Sequence, residues 1–133
     1  MADRVLVVDD EADLVASYER LLRRQGYRVI ATGSRGEGLA ILAREALALV
    51  ISDLRLPDGD GLDIVRAARR TPAPVPVLVV TGFASEASRR AAFAAGASGY
   101  LAKPFAASAF AALVEQTIRG RGGEDRWGGG APC

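Results

Sequence analysis

Val5-Leu6-Val7-Val8-Asp9-Asp10 is a short apolar run, rich in β-branched residues, that ends on two carboxylates. Such a run reads as a strand buried on both faces, as in a parallel sheet covered by helices. A second run, Leu47 to Ile51, leads through Ser52 to Asp53, so a third carboxylate closes another strand. Parallel strands deliver the residues at their carboxyl ends to one edge of the sheet, where open α/β folds bind their ligands. Three further apolar segments, Tyr27 to Ala31, Val75 to Val80 and Ser98 to Leu101, complete a set of five, and Thr81 and Lys103 stand at the ends of the last two.

Helical patterns separate these segments. Leu14, Tyr18, Leu21 and Leu22 repeat at helical spacing, with Gly26 as a stop. Ser34-Arg35-Gly36-Glu37 has the form of a capping box opening a helix that reaches about Arg44. Leu62, Val65 and Ala68 mark a third helix, which Pro72 and Pro74 prevent from continuing. A fourth runs from Ser85 to Ala95 and ends at Gly96; Phe110, Leu113, Val114 and Thr117 line a fifth. Alternation of five strands with five helices predicts a doubly wound, flavodoxin-like α/β fold with a five-stranded parallel sheet joined by right-handed crossovers. The strand order 2-1-3-4-5 is one of its two common solutions, and it puts the ligand crevice between Asp9-Asp10 and Asp53.

The chain has 133 residues, half of them apolar, and a formal net charge of +1. One domain is the size expectation. The charge gives no overall field to argue for nucleic acid or an anionic membrane, and the arginines that cluster at 20, 23 and 24, at 66, 69 and 70 and at 89 and 90 read as solvated helix faces. The single cysteine is Cys133, which excludes an internal disulfide and sulfur-ligated metal. Apolar runs are too short for a signal-peptide core or a membrane span, so a cytoplasmic location is expected. From Gly120 onward glycine and charge dominate; residues 1-119 are expected to form the domain and 120-133 a flexible tail or linker.

Clustered carboxylates with one hydroxyl and one ammonium describe a site for a divalent cation and a phosphoryl group. Carboxylates ~4 Å apart repel by about 4 kcal/mol per ionised pair at an effective dielectric near 20, and a divalent cation removes the conflict. Magnesium suits such a set, being satisfied by one or two carboxylates, a carbonyl, waters and phosphate oxygen. Lys103 would hold a phosphoryl oxygen as a point charge, and Thr81 would donate a hydrogen bond to another. Asp58, Asp60 and Asp63 lack the ligand ladder of a calcium loop and read as turn and N-cap residues.

The constellation resembles the receiver domain of bacterial two-component response regulators over roughly residues 3 to 119. The resemblance is carried by Val5 to Asp10 followed by Glu11, by Asp53-Leu54-Arg55-Leu56-Pro57 with Gly59 and Gly61, by Thr81-Gly82, and by Tyr100-Leu101-Ala102-Lys103-Pro104-Phe105. It implies a phosphoacceptor that catalyses only its own phosphorylation and dephosphorylation. Asp53 would take the phosphoryl group from a sensor histidine kinase or phosphotransfer protein. Asp9, Asp10, Asp53 and the main-chain carbonyl of Arg55 would arrange Mg2+, with Thr81 and Lys103 on the phosphoryl oxygens and a cis bond before Pro104. As switch residues, Thr81 would move toward the phosphoryl group and Tyr100 would turn from exposed to buried. The surface of the fourth helix, fifth strand and fifth helix would then address an output domain, a downstream protein or a second copy of the chain. Nucleic acid and membrane are not among the implied partners. The chain has no histidine, so its phosphate must come from another molecule.

Two other functions use similar groups. Phosphohydrolases of the haloacid-dehalogenase type place their nucleophile after the first strand with a second aspartate two positions on, whereas Glu11-Ala12 follows Asp10 here. A flavin site would need a phosphate loop in the place of the two acids. A phosphate-independent module of receiver fold ranks low because every site residue is present. Arg55 and Phe83, two positions beyond Asp53 and Thr81, are expected to flank the path of attacking water and slow hydrolysis.

Overall fold

The computed structural model describes residues 3–120. Its elements run β1 (Arg4–Val8), α1 (Ala12–Arg24), β2 (Arg28–Thr32), α2 (Arg35–Arg44), β3 (Leu49–Ser52), β4 (Arg55–Leu56), β5 (Gly59–Asp60), α3 (Leu62–Arg69), β6 (Val77–Thr81), α4 (Glu86–Ala95), β7 (Gly99–Ala102) and α5 (Ala107–Arg119). The main sheet is parallel, in the order β2-β1-β3-β6-β7. This is the anticipated 2-1-3-4-5 arrangement of five strands, once the small β4-β5 hairpin is set apart.

Alternation along each strand divides the core into two layers. Leu6, Val8, Val50, Val77, Val79 and Tyr100 face α2, α3 and α4, where Ile41, Leu42, Ile64, Val65, Ala68 and Ala92 meet them. On the other face Val5, Val7, Leu49, Ile51, Leu78, Val80 and Leu101 pack against α1 and α5 through Tyr18, Leu22, Phe110, Leu113 and Val114. Each fully buried aliphatic side chain contributes roughly 1.5–3 kcal/mol relative to exposure, so the central strands anchor the site they carry. The helical pattern of α5 was fully legible: Phe110, Leu113, Val114 and Thr117 are its buried residues. Phe105, half-buried, packs against the second layer.

Three details differ from the sequence expectation. The strands after β1 begin one or two residues later than the apolar runs, and Tyr27 shows why: its N–H still bonds to Leu22 O at the end of α1. The capping box at Ser34 is half made. Ser34 Oγ accepts from Glu37 N at 3.1 Å, but the Glu37 carboxylate takes the Thr32 hydroxyl at 2.6 Å instead of returning to a backbone amide. The hairpin β4-β5 stands where the sequence predicts turn residues. Within it Asp58 caps a distant helix, accepting from Arg35 N and Gly36 N at the start of α2, while Asp60 accepts from Leu62 N at the entry to α3. Asp63 lies inside α3 and pairs with Arg35 and Arg66.

Of the proposed tail, only Gly120 is among the described residues; it caps α5 in the left-handed conformation. The rest of that expectation lies outside them.

Candidate functional site

Register brings the site together. Val8 stands opposite Ser52 in the β1-β3 ladder, and Asp53 N continues it by donating to Val8 O at 3.0 Å. Asp9 and Asp53 therefore leave adjacent strands side by side. Thr81 stands opposite Ala102 across β6 and β7, so Lys103 is the next residue beyond, its N–H on Thr81 O at 2.8 Å. The Lys103–Pro104 peptide is cis, as the resemblance implied.

The three carboxylates present oxygens all within 4.8 Å of one another. Asp9 and Asp53 are buried and Asp10 is exposed. Asp53 Oδ1 is held by the backbone, accepting from Leu54 N at 2.7 Å and Arg55 N at 3.3 Å, and its Oδ2 faces Lys103 Nζ at 2.9 Å. Asp9 Oδ1 accepts from Glu11 N at 2.9 Å. Asp9 Oδ2 makes an ion pair with Lys103 Nζ at 3.0 Å but has no hydrogen bond of good geometry, although it is buried.

Electrostatics follow from this crowding. Burial pushes the Asp9 carboxyl above the ordinary carboxylate range; the Glu11 amide and Lys103 pull against it, and Asp53 adds to it. Burial opposes the charge on Lys103, yet the Glu11, Asp53 and Asp9 carboxylates together outweigh it and hold the ammonium above the usual lysine range. An ammonium serving three carboxylates is the mark of a site short of positive charge. The oxygen-only donor set and the underpartnered Asp9 Oδ2 fit a hard divalent cation.

The remaining site residues lie close by. Thr81 is fully buried, and its hydroxyl accepts from Phe83 N at 3.1 Å. Arg55 is in β4 with its guanidinium 3.8 Å over the ring of Phe83, so the two bulky residues form one stack. Tyr100 is already buried, the placement that the resemblance assigns to the switched state; its hydroxyl meets Ser88 Oγ at 2.8 Å and Ser85 N at 3.4 Å. α4 itself has Ala92 as its buried residue, in line with its run of alanines. The loop beyond Asp53 is pinned by Gly61, where a Cβ would come within 2.0 Å of Asp53 O.

Sequence reasoning gave no role to Glu11, whose carboxylate holds Lys103 Nζ at 2.7 Å. The signal was available: it is the third acid in the run Asp9-Asp10-Glu11.

Among known proteins, the family model described as response regulator receiver domain matches residues 5–115. The transcriptional regulatory protein PrrA of Mycobacterium tuberculosis is 38% identical over 119 residues, covering 90% of this chain and 51% of PrrA. The chain thus spans about half the length of the curated relatives it matches first. Among solved structures, the receiver domain of the sensor histidine kinase PA1611 of Pseudomonas aeruginosa has a magnesium ion coordinated in its active site cleft. It matches with a TM-score of 0.80 and 27% identity, over 90% of this chain and 100% of that one. A response regulator protein of Burkholderia pseudomallei, solved with a phosphorylated aspartic acid, calcium and citrate, matches with a TM-score of 0.78 and 29% identity, over 88% and 69%.

Proposed function

Because this chain belongs to the response regulator receiver family, and is a phosphoacceptor switch rather than a turnover enzyme, we propose that Asp53 is its phosphoacceptor. One carboxylate oxygen of Asp53 attacks phosphorus of a partner's phosphohistidine. An O–P bond forms as the P–N bond breaks, and the imidazole departs with the electron pair. A small acyl phosphate donor would serve in the same way.

The observation that carries this reading is the single ammonium of Lys103 spread over Asp53, Asp9 and Glu11. Phosphoryl transfer asks little covalent chemistry of the protein and much positioning and charge stabilisation. Backbone amides of Leu54 and Arg55 orient the Asp53 carboxylate before the donor arrives. Lys103 supplies positive charge to the phosphoryl oxygens by letting go of the carboxylates it now holds. Thr81 donates a hydrogen bond from its hydroxyl to another phosphoryl oxygen, since its present bond from Phe83 uses only a lone pair. Asp9, Asp10, Asp53 and the main-chain carbonyl of Arg55 would hold Mg2+, which would neutralise the carboxylates and the charge developing on phosphorus. The Arg55–Phe83 stack flanks the approach of water in hydrolysis, the domain's other self-catalysed step.

Thr81 and Tyr100 form the switch. Displacement of Thr81 toward a phosphoryl group would bear on the Phe83-to-Ser85 segment, and from there on the Ser85 and Ser88 contacts of Tyr100. The surface of α4, β7 and α5 then changes for an output domain, a downstream protein or a second copy of the chain. A sensor histidine kinase or phosphotransfer protein is the donor, and the setting is cytoplasmic. Among the described residues no helix is long and apolar enough to cross a membrane. Residues 1-119 act as the receiver unit, with 120-133 as a tail or linker.

Incubation with acetyl phosphate and magnesium, read by intact mass, is the test. Wild type gains one phosphate and Asp53→Asn gains none; equal labelling of both proteins would overturn the assignment.

A further inference from the structure

Tyr18 is a fully buried phenol in the middle of α1. Its ring lies against Phe105 at 6.1 Å, nearly parallel, and against Phe110 at 5.2 Å. That packing would be served equally by phenylalanine. The hydroxyl is a different matter, because it is buried without a hydrogen-bond partner, and so is Asp9 Oδ2. One of these atoms has a proton to donate and the other a lone pair to receive it. The charged groups that act on the phenol are Asp9, then Asp53 and Glu11, and no hydrogen bond of good geometry joins the phenol to Asp9 in this state. Burial first, and these carboxylates after it, hold the phenol in its protonated form.

At present Lys103 occupies Asp9 Oδ2. A buried hydroxyl with no partner is unfavourable, so in this state the Tyr18 hydroxyl is a burden on the fold. It becomes favourable only where Asp9 turns to accept it. We propose that Tyr18 is a positioning residue for Asp9: when Lys103 gives up Asp9 Oδ2, to an incoming cation or to the phosphoryl group, the Tyr18 hydroxyl takes over as donor to Asp9 and keeps that carboxylate aimed at the cation. This rests on the reading of the site given above. Groups of this kind, which touch a metal ligand and not the metal, commonly set ligand orientation and metal affinity.

The test is Tyr18→Phe in the full chain, with Mg2+ binding measured by calorimetry and melting followed without magnesium. The variant is expected to melt at or above the wild-type temperature in the absence of magnesium, because it loses only an unsatisfied hydroxyl. Its Mg2+ dissociation constant is expected to rise about threefold to tenfold, the equivalent of one ordinary hydrogen bond. Magnesium should also produce a tyrosine near-ultraviolet difference signal that Tyr100→Phe retains and Tyr18→Phe loses. Unchanged Mg2+ affinity in Tyr18→Phe overturns the proposal and leaves the phosphoacceptor reading intact. Failure of the wild-type protein itself to bind Mg2+ overturns both.

Discussion

Replacing Lys103 with methionine keeps the length of the side chain and removes its charge. Nζ lies 3.0 Å from Asp9 Oδ2 and 2.9 Å from Asp53 Oδ2, with the side chain 13% exposed. At an effective dielectric near 20 each of these contacts is worth about 5–6 kcal/mol before desolvation is counted. Glu11 is exposed on the third side and adds little. Burying the ammonium returns much of the gross attraction, and removal of one partner from a buried pair costs about 3–5 kcal/mol net. Lys103→Met should therefore lose roughly 3–5 kcal/mol in urea denaturation without magnesium, a drop on the order of 10 °C in melting temperature. Excess ligand stabilises a protein by about 2.7 kcal/mol at a hundred times its dissociation constant. The magnesium increment should be larger in the variant than in wild type, because the ammonium that competes for the same oxygens is gone. A deficit under about 1 kcal/mol, or a magnesium increment no larger than in wild type, would refute the reasoning.

Gly61→Ala drives a Cβ to within 2.0 Å of Asp53 O and 2.9 Å of Leu54 Cα; denaturation should show a loss of about 3 kcal/mol or more, the scale of a backbone clash that nothing flexible can absorb. Arg55→Ala and Phe83→Ala each break the 3.8 Å stack, and the acyl phosphate lifetime of either should shorten about two- to fivefold, the worth of one exposed cation–π contact; unchanged lifetimes would end the proposed role in excluding water. Asp58 is held below its ordinary carboxyl range by the Gly36 and Arg35 amides. Its folded value is thus the lower one, so its contribution is fully present above the unfolded carboxyl value and disappears as pH falls through the folded one. In Asp58→Asn an acceptor remains but cannot titrate, and acid denaturation scans should show a shallower fall in stability at low pH than wild type.

The site was legible where chemistry follows from strand register. Asp9 and Asp53 come together because parallel strands in register must deliver adjacent residues to one edge, and the apolar runs ending in acids already say so. The hairpin at Arg55 to Asp60 was hidden because two-residue strands carry no periodicity. Glu37 went elsewhere because Thr32, five residues earlier, offered a hydroxyl that local pattern rules do not weigh against a backbone amide. Tyr18 passed as one more apolar position, since helical spacing registers the ring and is blind to the oxygen. Glu11 was overlooked for the opposite reason: an exposed acid next to two others looks like surface until a lysine some ninety residues away reaches it.

The Tyr100 hydroxyl tethers β7 to a helix whose buried residue is a single alanine. Two hydrogen bonds at the Tyr100 hydroxyl and the packing of Ala92, with Phe93 and Ala95 half-buried beside it, are what must give way for that helix to slide. Rearrangement on such a modest threshold runs in microseconds to milliseconds, so the tempo of signalling would be dictated by how fast phosphate arrives and departs, with the polypeptide following as a nearly instantaneous reporter of occupancy.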